Sequence, residues 1–310
     1  MSEKLNILIT GGSGCIGSES KKALLEGGLV NKIVLTSRSK KVPSSNDSDK
    51  LHYEQVDLSN TQDLLRVIQK HDINKILHTA AIRTSEAQDN PHKAFDVNVT
   101  ATLNLCEAAR LSKQIQRFVF ISTAAVYGAT TESVDETAPT TSYLPYIASK
   151  LAAEQICECY AKSYNLPTFI IRPQIIYGPT RLGEGSTAGL SHALAAAVKG
   201  QDHTIDFAGP HSFHYTDDVG KLFAISLTKD LDKNFEVYNL PGSSHTSQEF
   251  VAAITKQAQK LNLKLGEMEA GTKEMPFPAV LNHQKFYQDF PEVKIKDLDT
   301  TIELGLKYFL

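Results

Sequence analysis

Through its first 172 residues the chain alternates short apolar runs with longer amphipathic stretches, and this alternation restricts its fold more than any other feature. Leu5–Thr10, Lys32–Thr36, Leu51–Val56, Lys75–Thr79, Arg117–Ile121 and Thr168–Arg172 read as buried strands. Between them Cys15–Glu26, Thr61–Lys70, Asn90–Ser112 and Tyr146–Tyr164 carry helical spacing, the last broken before Pro167. Apolar strands interleaved with amphipathic helices predict parallel βαβ units, hence an α/β chain built on a doubly wound sheet covered on both faces. The helix Asp217–Thr228 and the strand Phe235–Leu240 read as a late return to that sheet. Residues 1–172 with 215–241 are therefore assigned to the sheet domain. Residues 173–214 with 242–310, mixed in pattern, are assigned to a smaller substrate-binding region. Ser39–Lys50 is polar and rich in Ser, Lys and Asp, which predicts a surface loop.

With 310 residues, 41% of them hydrophobic and 22% charged, the chain can bury a sizeable core. Its net charge of −3 gives no basic surface for nucleic acid or an anionic membrane. Charge precedes the first short apolar run, which is too short for a membrane span or the centre of a signal peptide. The cysteines Cys15, Cys106, Cys157 and Cys159 are sparse and unframed, which fits a reducing cytoplasm rather than a disulfide scaffold. No Cys/His spacing resembles a zinc site, so no metal is expected.

The first strand runs directly into Thr10-Gly11-Gly12-Ser13-Gly14-Cys15-Ile16-Gly17. Glycine at these places lets the backbone turn tightly and lets a pyrophosphate approach the amides, while the helix beyond adds partial positive charge. A glycine triplet after a strand and before a helix, in the first βαβ unit, is the context that signals dinucleotide binding. An NAD site usually has an acid about 20 residues on, which bonds the ribose 2′-hydroxyl. Here the second strand ends Thr36-Ser37-Arg38-Ser39-Lys40-Lys41, with no acid before Asp47. Arg38 suits a 2′-phosphate, so NADP is favoured and NAD is the alternative.

Tyr146-Ile-Ala-Ser-Lys150 places a phenol and an ammonium at i and i+4 on one helix face. An ammonium beside a phenol favours its ionised form, so the pair can exchange a proton with a secondary alcohol or ketone. The strand before that helix ends Ile121-Ser-Thr123-Ala-Ala-Val-Tyr127-Gly128, and a hydroxyl there can bond the same oxygen.

With these residues the chain resembles the extended short-chain dehydrogenase/reductases, the group often labelled NAD-dependent epimerase/dehydratase. The resemblance covers essentially the whole chain and implies a Rossmann-type fold. Further residues carry it: Asp57-Leu58 at the adenine position, His78-Thr79-Ala80-Ala81 in the loop that lines the cofactor, and Asn98 supporting the active-site helix. Arg172-Pro173 with Tyr177-Gly178-Pro179, and Tyr215-Thr-Asp217-Asp218-Val219, complete the series. The family implies that Tyr146 is the acid/base, that Lys150 tunes it and holds the nicotinamide ribose, and that Thr123 orients the substrate oxygen. Gly11, Gly14, Cys15, Ile16, Gly17, Arg38, Asp57, Leu58, Thr79 to Ala81, Asn98, Tyr146 and Lys150 are the expected cofactor contacts. Arg83 and Gln174, with Thr123, are the substrate candidates, and Thr84 stands beside Arg83. The family often dimerises through the helices here at about Pro91–Ser112 and Tyr146–Tyr164.

The departures narrow the reaction. Dehydratases of the family commonly have an Asp-Glu pair after the Thr, where this chain has Ala124-Ala125. Nucleotide-sugar epimerases often have an Asn three residues after the strand-six Arg, here Ile175, and an Arg before the Tyr-x-Asp-Asp element, here His211. Arg181, Lys199 and His214 are read as ordinary residues rather than substitutes, and His192 and His203 as chemically idle. The leading expectation is a dehydrogenase/reductase acting at a secondary alcohol or carbonyl of a small polar or sugar-derived substrate. A nucleotide-sugar epimerase with retained NAD is the alternative. A non-catalytic dinucleotide sensor is the reading of a different class, and the presence of Thr123, Tyr146 and Lys150 speaks against it.

Overall fold

The computed structural model describes residues 5–38, 48–185 and 187–310. In chain order the elements are β1 (Leu5–Thr10), α1 (Cys15–Glu26), β2 (Val30–Ser37), β3 (Leu51–Gln55), α2 (Thr61–Lys70), β4 (Lys75–His78), α3 (Thr84–Asp89), α4 (Pro91–Phe95) and α5 (Ala101–Ser112). Next come β5 (Arg117–Ile121), β6 (Thr130–Val134), α6 (Pro145–Tyr164), β7 (Thr168–Arg172), β8 (Ile175–Tyr177), α7 (Gly189–Lys199), β9 (His203–Phe207) and β10 (His211–Tyr215). The remainder is α8 (Thr216–Thr228), β11 (Phe235–Asn239), β12 (Ser243–His245), α9 (Ser247–Lys260), β13 (Met268–Lys273), β14 (Pro278–Leu281), α10 (Gln284–Asp289) and α11 (Leu298–Phe309). Among the described residues no helix is long and apolar enough to cross a membrane.

The chain forms two compact units, one of residues 1–126, 141–172 and 220–238, the other of 127–140, 173–219 and 239–310. The first holds a seven-stranded sheet of order β11-β7-β5-β4-β1-β2-β3. The pairs β1–β2, β2–β3, β1–β4, β4–β5 and β5–β7 are parallel. Every residue of β4, β5 and β7 is buried, the mark of strands covered on both faces. On one face Leu8, Ile76, Phe118, Phe120 and Ile170 pack with Leu64, Val67 and Ile68 of α2, Leu105 of α5 and Ala153 of α6. Strand order reverses between β1 and β4, and at such a switch point open α/β sheets bind ligands beyond the carboxyl ends of their strands.

In the second unit β8, β10 and β12 form a small sheet, β13 pairs with β9, and β14 with β6. Its core gathers Tyr177, Leu194, Phe207, Phe213, Phe250, Ile254, Ile302 and Leu306. The helix α9 starts with a capping box, Thr246 bonding the Glu249 N–H and Glu249 reaching back to the Thr246 N–H.

Three expectations are corrected. Beside the sheet domain drawn at 1–172 with 215–241, the first unit leaves out 127–140, 215–219 and 239–241; β6, within 127–140, pairs with β14 of the second unit. The single helix expected over Asn90–Ser112 is α4, a π-helical turn at Asp96–Thr100, and α5. A short helix, α3, occupies Thr84–Asp89, where none was expected. Of the polar loop expected at Ser39–Lys50, residues 39–47 lie outside the described residues. Ser48 turns the chain into β3, its C=O accepting the Leu51 N–H at 2.8 Å.

Candidate active site

Gly11 sits at φ +69°, a backbone conformation that L side chains rarely adopt. A Cβ there would lie 2.7 Å from the Ala80 N, and one at Gly17 would lie 2.5 Å from the Gly11 C=O oxygen. The glycines therefore let the turn, the first turn of α1 and the loop after β4 approach one another closely. Gly14 caps α1 without any side-chain bond, and the first turn contains no acidic residue. The helix dipole adds partial positive charge at the first-turn amides of Cys15, Ile16 and Gly17, which fits a pyrophosphate.

The loop after β4 is held by a buried chain of hydrogen bonds with a definite direction. Ala80 N–H donates to Thr10 Oγ1 at 3.3 Å, and Thr10 Oγ1 stands 2.6 Å from His78 Nδ1. His78 Nε2 stands 3.0 Å from Thr102 Oγ1, which donates to the Asn98 C=O at 2.7 Å. Because Thr102 gives its proton to Asn98, His78 must carry its own proton on Nε2 and accept from Thr10 at Nδ1. Burial, and secondarily the charge of Lys150, pushes His78 down to about 3. His214, in the second unit, is likewise fixed as a neutral imidazole: Nε2 accepts the Gln174 N–H and Nδ1 donates to the Pro241 C=O, both at 2.9 Å. Burial lowers it to about 4.

A histidine held neutral in the folded state binds its proton more readily once unfolded. Its contribution to stability is present above pH 6.5 and is lost as pH falls toward 3 for His78 and 4 for His214. Between pH 7 and pH 5 each histidine is expected to remove about 2 kcal/mol. Urea titrations at the two pH values check this. His78→Gln and His214→Gln should each flatten the pH dependence, and an unchanged slope would contradict the assignment.

The helix α6 starts with Pro145 at its first position, where a missing N–H does no harm. Tyr146 follows, half-buried and packed on Ile82, Ala87 and Ala94. Asn98 Nδ2 donates to the Ile82 C=O at 3.0 Å and to Ser149 Oγ at 2.9 Å, while its Oδ1 accepts the Ile82 N–H at 2.7 Å. Ser149 Oγ passes the chain on to the Tyr146 C=O at 2.7 Å. Asn98, expected among the cofactor contacts, is thus a buried tie between the β4 loop and the turn bearing Tyr146. Lys150, one turn further, is buried with Nζ 4.2 Å from the Phe120 ring centroid, and burial brings it down to about 8.

Thr123 stands just past β5, and its Oγ1 accepts the Ala125 N–H at 3.2 Å. That bond occupies a lone pair and leaves the hydroxyl proton to be donated elsewhere. Thr123, Tyr146 and Lys150 all belong to the first unit, as do the glycine turn and Thr79 to Ala81. Thr79 is held by Oγ1–H donating to the Thr10 C=O at 2.7 Å, and Ala81 is exposed. Arg38 is exposed at the end of β2, its C=O accepting from Gln55 Nε2 at 3.1 Å. Asp57 is exposed and Leu58 half-buried; the Ser59 N–H, then its side chain, and more weakly Arg38, hold the Asp57 carboxyl below the usual carboxylate range.

Of the substrate candidates, Arg83 is exposed at the N-terminus of α3, with Thr84 beside it half-buried. Gln174, expected to touch substrate, is committed within its own unit. Its Nε2 donates to the Pro278 C=O and its Oε1 accepts the Ser212 N–H at 2.6 Å, so it clamps strands together. His192 and His203 each bond a backbone C=O, at Leu182 and Gly189. Sequence reasoning missed Ser149, Glu154 and the structural part of His78. For Glu154 the signal was present: Lys150-x-x-x-Glu154 continues the spacing that starts at Tyr146.

A parallel sheet with a glycine turn at its switch point, and a Tyr/Lys helix after β5, is the architecture of an extended short-chain dehydrogenase/reductase. A family model described as the NAD dependent epimerase/dehydratase family matches residues 7–240, and the chain belongs to that family. A trifunctional UDP-glucose 4,6-dehydratase/UDP-4-keto-6-deoxy-D-glucose 3,5-epimerase/UDP-4-keto-L-rhamnose-reductase of Arabidopsis thaliana is 29% identical over 97% of this chain and 46% of its own length. The chain therefore spans just under half of that relative. UDP-glucose 4-epimerase 2 of Arabidopsis thaliana is 27% identical over 88% of this chain and 86% of its own. The crystal structure of Thermus thermophilus UDP-glucose 4-epimerase in complex with NAD superposes with a TM-score of 0.81 at 26% identity, covering 98% of this chain and 99% of that one.

Proposed function

We propose that this protein is an NAD(P)-dependent dehydrogenase/reductase acting at a secondary alcohol or carbonyl carbon of a small polar or sugar-derived substrate. The observation that carries the reaction class is Lys150 buried one helical turn from Tyr146, on a turn tied down by Asn98 and Ser149. In this reading Tyr146 Oη gives a proton to the substrate oxygen, or takes it, and the ammonium of Lys150 stabilises the negative charge left on the phenol. Thr123 donates its free hydroxyl proton to the same oxygen and so fixes its direction. A dinucleotide would be held by the amides of the glycine turn, with Arg38 at the adenosine ribose, and when bound it supplies the hydride chemistry.

Two places in the second unit support a substrate without a diphosphate. Ile175 is fully buried in β8 and offers no polar group. His211 donates from Nδ1 to the Pro278 C=O at 3.3 Å, beside the rings of Phe207 and Phe277. Burial holds His211 below its ordinary range, against the pull of the Pro278 and Ala208 carbonyls. Each charge-assisted bond to a diphosphate that these positions do not make removes about 1.5–3 kcal/mol of recognition. Ala124 and Ala125, both buried, have no group that moves a proton, which argues against dehydration.

The second reading, a nucleotide-sugar epimerase that retains NAD, is favoured by the names of the relatives that match over most of their length. The two are separated by mass spectrometry of small molecules released on denaturing freshly purified protein. An empty site or exchangeable NADP(H) is the expected result; near-stoichiometric NAD(H) overturns it in favour of the epimerase. Arg38→Asp is expected to swing the NADPH/NADH affinity ratio by about 10–100-fold toward NADH. Fluorescence titration measures it, and a constant ratio would refute the 2′-phosphate role of Arg38.

A further inference from the structure

Glu154 stands one turn beyond Lys150 on α6, and Arg172 closes β7; their side chains are 4% and 7% exposed. The guanidinium grips the carboxylate as a fork, Nε donating to Oε1 at 2.9 Å and Nη2 to Oε2 at 2.6 Å. Taking two charges out of water is expensive, and apolar residues of similar volume often replace such a pair with no loss of stability. Stability alone therefore does not account for it. Its neighbour does. Lys150 is buried over the Phe120 ring, and among the described residues no salt bridge joins it to a carboxylate. Burial works against its charged form, and the Glu154 carboxylate is the strongest influence in the opposite direction.

We propose that the Glu154–Arg172 pair is the positioning device of the active-site lysine: Arg172 pins the carboxylate one turn from Lys150, where its charge preserves the ammonium. This rests on Lys150 serving Tyr146 as described above, and adds what keeps Lys150 charged. The other titratable groups facing this region are His78 on β4, held neutral, Tyr146 on the preceding turn, Cys106 on α5, and Cys157 on α6, whose thiol is pushed up by burial. Glu154 is the carboxylate among them.

The test titrates Lys150 itself. In the full-length apoprotein labelled with 13C at lysine Cε, the Lys150 resonance is assigned by its loss in Lys150→Met and followed from pH 6 to 11. Glu154→Gln is expected to lower its midpoint by about one unit or more. NADH binding, followed by fluorescence, should remain within about threefold of the parent at pH 6.5 and weaken about tenfold at pH 8.5. Since Glu154→Gln leaves the buried guanidinium without the opposite charge of Glu154, the double variant Glu154→Met/Arg172→Met is the companion. It should melt close to the parent and still show the lowered midpoint. A parent-like midpoint in a folded variant overturns the proposal. That failure is distinct from failure of the functional reading, which would show as an active Tyr146→Phe with the Lys150 titration unaltered.

Discussion

Tyr146→Phe is expected to lower turnover by about 10²–10⁴-fold, the usual contribution of a positioned general acid/base. The substitution removes one oxygen and keeps the ring. The ring keeps its packing on Ile82, Ala87 and Ala94, and the bonds that fix this turn run from Asn98 through Ser149 to the backbone C=O of residue 146. Dinucleotide affinity should therefore change by no more than about threefold, under 1 kcal/mol. The measurement compares kcat on the compound that the parent converts fastest from a panel of secondary alcohols, ketones and aldehydes, with binding followed by NADPH fluorescence. Turnover at the parent's rate would remove Tyr146 from the chemistry.

The second large effect is expected at Gly17. An alanine Cβ there would stand 2.5 Å from the Gly11 C=O oxygen, 2.8 Å from the Gly12 Cα and 3.0 Å from Thr79 Oγ1. Two of these three are backbone atoms of the turn itself, so relief requires the turn to move rather than a side chain to swing. Gly17→Ala should cost about 1–3 kcal/mol of stability and at least about tenfold in dinucleotide affinity. Thermal unfolding and fluorescence titration read the two effects separately. Gly28→Ala is the control, since no atom lies within 4 Å of its added Cβ although φ is +70°. Strain there affects stability alone. Equal losses of affinity at Gly17 and Gly28 would mean that close approach at the turn is not what matters.

The parts legible in the sequence are those coded by neighbouring residues. The bounds of α1 and α2 coincide with the helical spacing at Cys15–Glu26 and Thr61–Lys70, and β5 and β7 with their apolar runs. The glycine turn and the Tyr146/Lys150 pair are local codes of the same kind. Illegible were features decided by distant partners. The strand β6 is mostly exposed and has no apolar run; its pairing with β14 is what makes it a strand. Gln174 looks like a free amide until Ser212 and Pro278, 38 and 104 residues away, occupy it. The surroundings of His211 are likewise unreadable from residue type, because Phe207 and Phe277 reach it from other segments of the chain. Asn98 was located by motif, yet its work as a tie depends on Ile82 and Ser149.

The π-helical turn at Asp96–Thr100 places Asn98 in a region where Ala94, Asn98 and Thr102 are all buried. In a regular α-helix residues spaced four and four overshoot two full turns by about 80°, so the three would drift off a common line. The wider turn absorbs that drift and lets Asn98 meet Ile82 while Thr102 meets His78. A π-turn holds one residue more than an α-turn, so deleting one residue here would close the stretch to regular helix and shift Asn98 against Ile82 and Ser149. The place of Asn98 therefore rests on the number of residues in this stretch as well as on their identity.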